Sequence, residues 1–189
     1  MGRIGGLHDR PGASARRRRT EKGDLQAAPY LLVRELTPLL AASAPVRVVN
    51  VASMGQAPID LDDLMFTRDH DAVQAYCRSK LAMIMATFEL AAQLEERGIT
   101  VNAVHPAHLM DTSMVREGGL TPVTTVDDGV LPTRQLITDS DLRGVTGRYF
   151  FRFDEARAHE QAYDPAVRAA LLARTDAMTS AAALTPQQI

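Results

Sequence analysis

Tyr76 and Lys80 stand one helical turn apart in Ala75-Tyr-Cys-Arg-Ser-Lys80, a spacing that puts both side chains on the same helix face. A cation that close to a phenol favours phenolate, drawing a tyrosine down from its ordinary pKa of about 10 toward a range useful for proton transfer. Ser53 closes the run Val48-Val-Asn-Val-Ala-Ser53 upstream, and Val101-Asn-Ala-Val-His-Pro106 follows downstream. A phenol and an ammonium so placed form an acid/base device.

Such a set works only if rigid elements hold it. Val46 to Ala52 is short, β-branched and almost wholly apolar, as expected of a strand buried on both faces of a parallel sheet. Ile99–Val104 reads as a second strand and Gly147–Phe151 as a third. Between the first two, Ala72–Arg97 predicts a long helix with Leu81, Ile84, Met85, Phe88, Ala91 and Leu94 on one face and Gly98 as its stop. Leu25–Ala42 predicts another, its apolar face made by Leu31, Leu32, Leu36, Leu39 and Leu40. Pro29 fits its first turn and Pro38 should bend it. Thr125-Val-Asp-Asp128 has the form of a capping box, opening a helix to about Ile137 that Pro132 should kink. Asp164–Ala177 predicts a terminal helix. Residues 1–24, rich in Gly and Arg and without either periodicity, are predicted to be disordered, and 181–189 to be a frayed tail. Residues 25–180 are thus one α/β domain.

Composition narrows the functional classes. A net charge of −2 over 189 residues gives no pull toward nucleic acid or an anionic membrane. The single cysteine, Cys77, excludes an internal disulfide framework and fits a reducing cytoplasm. The Arg16–Arg19 run is not followed by an apolar stretch, so no secretory signal is read. Pro29–Ala42 is interrupted by Arg34 and Glu35 and is too short to span a bilayer. No metal is expected. Asp60, Asp62 and Asp63 lack the glycine and glutamate of a calcium loop and read as a solvated loop. His105 and His108 have no Cys or third His placed to complete a zinc site.

From about residue 25 onward the chain resembles the C-terminal portion of a short-chain dehydrogenase/reductase, in particular the retinol-dehydrogenase-like branch. The resemblance rests on Leu31-Leu-Val-Arg-Glu-Leu-Thr-Pro-Leu-Leu40, Arg47-Val-Val-Asn-Val-Ala-Ser53, Ile59-Asp-Leu-Asp-Asp-Leu64, Tyr76-Cys-Arg-Ser-Lys-Leu-Ala82, Thr100-Val-Asn-Ala-Val-His-Pro106 and Gly144-Val-Thr-Gly-Arg-Tyr-Phe150. A YxxxK spacing alone is weak; the ordered set is strong. It implies a partial Rossmann-like, doubly wound parallel sheet of about three strands with flanking helices, and hydride transfer between NAD or NADP and a small-molecule carbonyl or secondary alcohol. By the same resemblance Ser53 would bind the substrate oxygen, Tyr76 would donate or accept its proton and also contact the cofactor, and Lys80 would favour the phenolate and hold the nicotinamide ribose. Pro106 and Thr112 would lie near the nicotinamide and pyrophosphate. The helices at 25–42 and 72–97 would form a homo-oligomer interface.

Several family features have no counterpart in this sequence. The TGxxxGxG phosphate loop, the residue that reads the adenosine ribose and the NNAG segment belong to an N-terminal nucleotide-binding half that is missing here. Leu25 stands where the family places a catalytic Asn, and Ala107 where it places a Gly after Pro106. The strand at 46–52 is therefore expected to have one bare edge. A second reading stays open beside the oxidoreductase: a non-catalytic remnant, the product of a truncated gene, that associates with itself or with an intact relative.

Overall fold

A computed structural model of the protein describes residues 27–68 and 71–183. The expectations for residues 1–24, for Leu25 and for 184–189 lie outside that range. Helix α1 (Ala27–Ala42) leads to strand β1 (Val46–Val51), helix α2 (Ala72–Leu94), strand β2 (Ile99–His105) and the short helix α3 (Ser113–Glu117). Helix α4 (Val126–Thr138), strands β3 (Tyr149–Phe151) and β4 (Asp154–Ala156) and helix α5 (Pro165–Ala183) complete the described chain. The sheet order is β1-β2-β3-β4.

The first three strands are parallel, with β1 and β2 in register from Val46↔Ile99 to Val51↔Val104, and β2 and β3 from Ala103↔Tyr149 to His105↔Phe151. All three lie where the sequence places them. The fourth strand does not follow from the sequence. Asp154-Glu-Ala156 carries no apolar alternation, and it pairs antiparallel with β3 only because Arg152 turns the chain in the left-handed region, at φ 57°.

Helices cover both faces. Tyr30 and Val33 of α1, Leu90 and Leu94 of α2 and Leu172 of α5 pack on Ile99 and Val101, while Leu136 of α4 packs on Val104 and Phe150 from the other side. The predicted inner face of α2 is the core: Leu81, Ile84 and Met85 are fully buried. Asp71 caps that helix by accepting the Gln74 N–H at 2.8 Å, and a 3-10 turn at Glu95–Arg97 ends on Gly98 at φ 71°. The capping box at α4 is present, with Thr125 N–H on Asp128 Oδ2 at 2.9 Å and Asp128 N–H on Thr125 Oγ1 at 3.2 Å.

Three expectations need correction. The α1 face splits: Leu31 and Leu40 pack inward, but Leu32, Leu36 and Leu39 are exposed, Leu32 at 59%. A helix apolar on more than one side cannot bury all of them against a single neighbour. Helix α5 runs to Ala183, past the predicted end at Ala177, because its 165–183 segment has no glycine or further proline to stop it. Asp63 is not part of a solvated loop. It is buried and accepts Thr67 N–H and Oγ1–H, both at 2.8 Å, and Arg68 N–H at 3.0 Å. Those donors hold its carboxyl down to about 2.

The position of β1 in the sheet decides its burial. β2, paired on both sides, is buried along almost all its length. β1 is half-buried, and Val51 is 46% exposed. Val46 N–H donates to Gly98 O at 3.1 Å and Ala52 N–H to Val104 O at 2.8 Å. The alternate residues Arg47, Val49 and Val51 therefore turn their backbone groups to an edge that no strand pairs among the described residues.

Truncating the core should cost far more than truncating the surface. Ile84→Ala is expected to destabilise by about 2–5 kcal/mol and Leu32→Ala by no more than about 0.5 kcal/mol, measured by urea unfolding; equal losses would mean that α2 is not the centre of the core.

Candidate active site

Ser53 lies immediately past β1, where Ala52 makes the last ladder bond to β2. It is 7% exposed, and its Oγ accepts the Gly55 N–H at 3.1 Å. Its carbonyl accepts two donors from distant or loop residues: Tyr149 Oη–H of β3 at 3.1 Å and Gln56 Nε2–H at 3.2 Å. Gln56 is itself held, its Oε1 accepting His159 N–H at 2.7 Å. Gln161 then clamps Ile59 through both backbone groups, at 2.7 Å and 3.0 Å. The segment after Ser53 is thus stapled by residues about a hundred positions away in the chain.

Tyr76 and Lys80 occupy the first turns of α2. Tyr76 is 38% exposed at the surface of the site. Lys80 extends back over the end of the sheet, donating to Val51 O at 3.0 Å, with its Nζ 5.7 Å from the Tyr76 ring centroid. Burial lowers the Lys80 pKa. One contact ties the helix to the strand end and sets the cation beside the phenol.

Gly55 sits between the hydroxyl and the phenol. A Cβ there would lie 3.2 Å from Cys77 Sγ, 3.6 Å from Ser53 Oγ and 3.7 Å from Tyr76 Cε1. Ser53 and Tyr76 therefore flank one point, and a side chain at 55 would intrude on it. Sequence reasoning passed over Gly55, Gln56, Tyr149 and Gln161. Gly55 alone had a local signal, being a glycine two residues past a candidate serine.

The two tyrosines near the serine loop have different environments: Tyr149 bonds the Ser53 carbonyl, and Tyr76 lies across Gly55 from it. Burial pushes the Tyr149 hydroxyl up to about 12, so it stays a neutral donor to the Ser53 carbonyl. Tyr76, by contrast, is an exposed residue. Tyr149 is a positioning residue for the serine loop.

The end of β2 brings His105 and Pro106 to the same end of the sheet as Ser53. His105 is 4% exposed, its ring 5.0 Å from that of Phe151, and its Nε2 has no hydrogen-bond partner. Burial, with His108 and Arg152 nearby, lowers its pKa to about 4, so the imidazole is neutral at pH 7. Among the described residues no group of three or more His, Cys, Asp or Glu is placed to hold a metal. Thr112 lies further from the sheet, at the start of α3, with its N–H on Met110 O at 2.7 Å.

Comparison with known proteins adds the following. A family model described as short chain dehydrogenase matches residues 26–121. Human retinol dehydrogenase 13 is 32% identical over 77% of this chain and 49% of its own length. Human WW domain-containing oxidoreductase is 34% identical over 64% of the chain and 34% of its own length. The chain spans about half the length, or less, of these curated relatives. The carbonyl reductase Sniffer of D. melanogaster superposes with a TM-score of 0.55 at 18% identity, over 84% of this chain and 64% of that one, and shares the fold.

Two outcomes follow from the geometry. Tyr149→Phe removes one of the two bonds on the Ser53 carbonyl and should cost about 1 kcal/mol in urea unfolding; no loss would mean the bond does not hold the loop. His105 should make the fold acid-sensitive. Unfolded, it takes a proton below its ordinary value of 6.5, but folded not until about 4. Stability is unaffected above 6.5, then falls as pH drops through that window, by up to roughly 3 kcal/mol. In His105→Gln this part of the pH dependence should vanish from unfolding curves.

Proposed function

Because the chain belongs to the short-chain dehydrogenase family, we propose that it carries the substrate-oxygen and proton-handling part of a site for NAD(P)-dependent interconversion of a carbonyl and a secondary alcohol. The carrying observation is that Ser53 and Tyr76 flank Gly55, with Lys80 on the adjoining turn of α2. Ser53 Oγ donates to the substrate oxygen. Tyr76 Oη gives that oxygen its proton in reduction and takes it back in oxidation. The Lys80 ammonium stabilises the phenolate so formed.

The residues fit a nicotinamide nucleotide at its ribose end. Lys80 uses one donor on Val51 O, and an ammonium has three, so two remain for ribose hydroxyls. Pro106 and Thr112 follow β2 on the carboxyl side of the parallel strands, where open α/β sheets take ligands. When bound, the nucleotide supplies or accepts the hydride. The pyrophosphate is less well served: among the described residues no strand runs through a glycine-rich turn directly into a helix.

A second reading is favoured by the open edge of β1 and the exposed Leu32, Leu36 and Leu39 of α1: a non-catalytic remnant of a longer reductase that self-associates or binds an intact relative. Of the two-helix interface, α1 offers the larger exposed apolar face, since the stripe of α2 from Leu81 to Leu94 is buried within this chain. No described helix is long and apolar enough to cross a membrane; the cytoplasmic location is proposed from the single cysteine, Cys77.

Titration of the purified chain with NADPH and NADH, followed by calorimetry, is expected to show saturable micromolar binding. Tyr76→Phe should leave that affinity within a few-fold and lower turnover by roughly 10²–10⁴-fold. Folded protein that binds neither nucleotide, and sediments as a dimer or larger, would favour the remnant instead.

A further inference from the structure

Between β2 and α4 the chain makes a long excursion, 106–125, that carries Pro106 and Thr112. Its two stems are clipped together. Val123 N–H donates to Leu109 O at 3.0 Å, Asp111 N–H to Thr124 O at 2.9 Å and Thr124 Oγ1–H to His108 O at 2.7 Å. Leu109 is held in the left-handed region at φ 42°, a conformation a leucine keeps only where its surroundings impose it. Beyond the clip, Met114 and Leu120 are exposed.

The clip alone does not say where the excursion sits on the domain. Gly129 does. It is buried as the fourth residue of α4, within the helix, where glycine is a poorer choice than alanine. A Cβ at 129 would fall well inside van der Waals contact distance of Met110 Sδ, with Met110 Cε at 3.4 Å and Pro106 Cβ at 3.6 Å. The missing side chain is the seat of Met110.

We propose that Gly129 and Met110 are a positioning pair: the Met110 side chain, lodged on the bare helix surface at Gly129, fixes the 106–125 excursion and with it the placement of Pro106 and Thr112 toward the nicotinamide nucleotide. The ligand part of this rests on the reading given above; the anchor does not. Methionine suits the task, because its unbranched thioether fills a shallow, irregular seat. It also makes the device separable from stability. The obstructing atom in a Gly129→Ala variant is the far end of a flexible side chain, so the methionine swings away, the helix gains a better helix former and the body of the domain stays folded.

The test is amide hydrogen exchange on the full chain, with thermal unfolding and NADPH titration alongside. Gly129→Ala is expected to speed exchange at the Asp111, Thr112 and Val123 amides by roughly tenfold or more, with an unchanged or higher Tm. Met110→Ala should speed the same amides. The double variant should exchange no faster than either single one, because both remove one contact. NADPH affinity should fall in step with the lost protection, and Val130→Ala on the exposed side of α4 should change neither. Unchanged protection in Gly129→Ala, or effects that multiply in the double variant, would overturn the anchor. Lost protection with undiminished NADPH affinity would overturn the positioning role. A wild-type chain that binds no nucleotide would sink the reading of the site, and the exchange rates would still decide the anchor.

Discussion

The parallel ladder between β1 and β2 is the constraint on which the rest depends. Its register, Val46↔Ile99 through Val51↔Val104, brings Ser53 and Pro106 out of the sheet at one end. Parallel strands need a crossover, and here it is α2, whose length returns the chain to the start of β2. The helix must then begin above the carboxyl end of β1. That is why Tyr76 and Lys80, in its first turns, reach the residues that follow the strand. A one-residue slip would turn Val48 and Asn50 from the α2 face to the other side of the sheet. It would also break the buried bond from Asn50 Nδ2 to Thr87 Oγ1, 2.8 Å long.

The ladder delivers Ser53 but does not hold it. That falls to the C-terminal segment, through Tyr149, His159 and Gln161. Each bond is made in a partly or wholly buried place, where an unmatched carbonyl or amide would cost about 1–3 kcal/mol. Residues from the last third of the described chain thus determine the shape of a loop that follows its first strand. The Phe88–Tyr163 pair, with centroids 5.5 Å apart, and the Arg168–Glu89 bridge at 3.2 Å fasten that segment to α2, so serine and tyrosine share one support.

Lys80 has two demands on it. Its bond to Val51 O satisfies a carbonyl at the unpaired edge of β1, and the same ammonium stands beside the Tyr76 ring. An edge strand needs its outward groups covered or charged, and a lysine at the strand's end does both. The structural and chemical roles are compatible because an ammonium has three donors. They are also coupled, since whatever covers this edge alters the surroundings of the cation.

The sequence by itself determined the elements that have a period and a boundary. The β-branched runs at 46–51 and 99–105, the apolar stripe of α2 and the capping box of α4 are local properties, set by side-chain geometry within a few residues. The order of serine, tyrosine and lysine was equally legible, because a helix turn fixes Tyr76 and Lys80 to one face whatever surrounds them. Tertiary structure alone decided the rest. The strand Asp154–Ala156 exists only because β3 offers it an edge. Asp63 is buried because Thr67 and Arg68 fold back on it. Leu32 and Leu39 are exposed because α1 meets a single partner surface. Gly55, Tyr149 and Gly129 matter through atoms that approach them from far along the chain. Contacts of that kind leave no spacing to read, since they depend on where separate elements are brought to rest against one another.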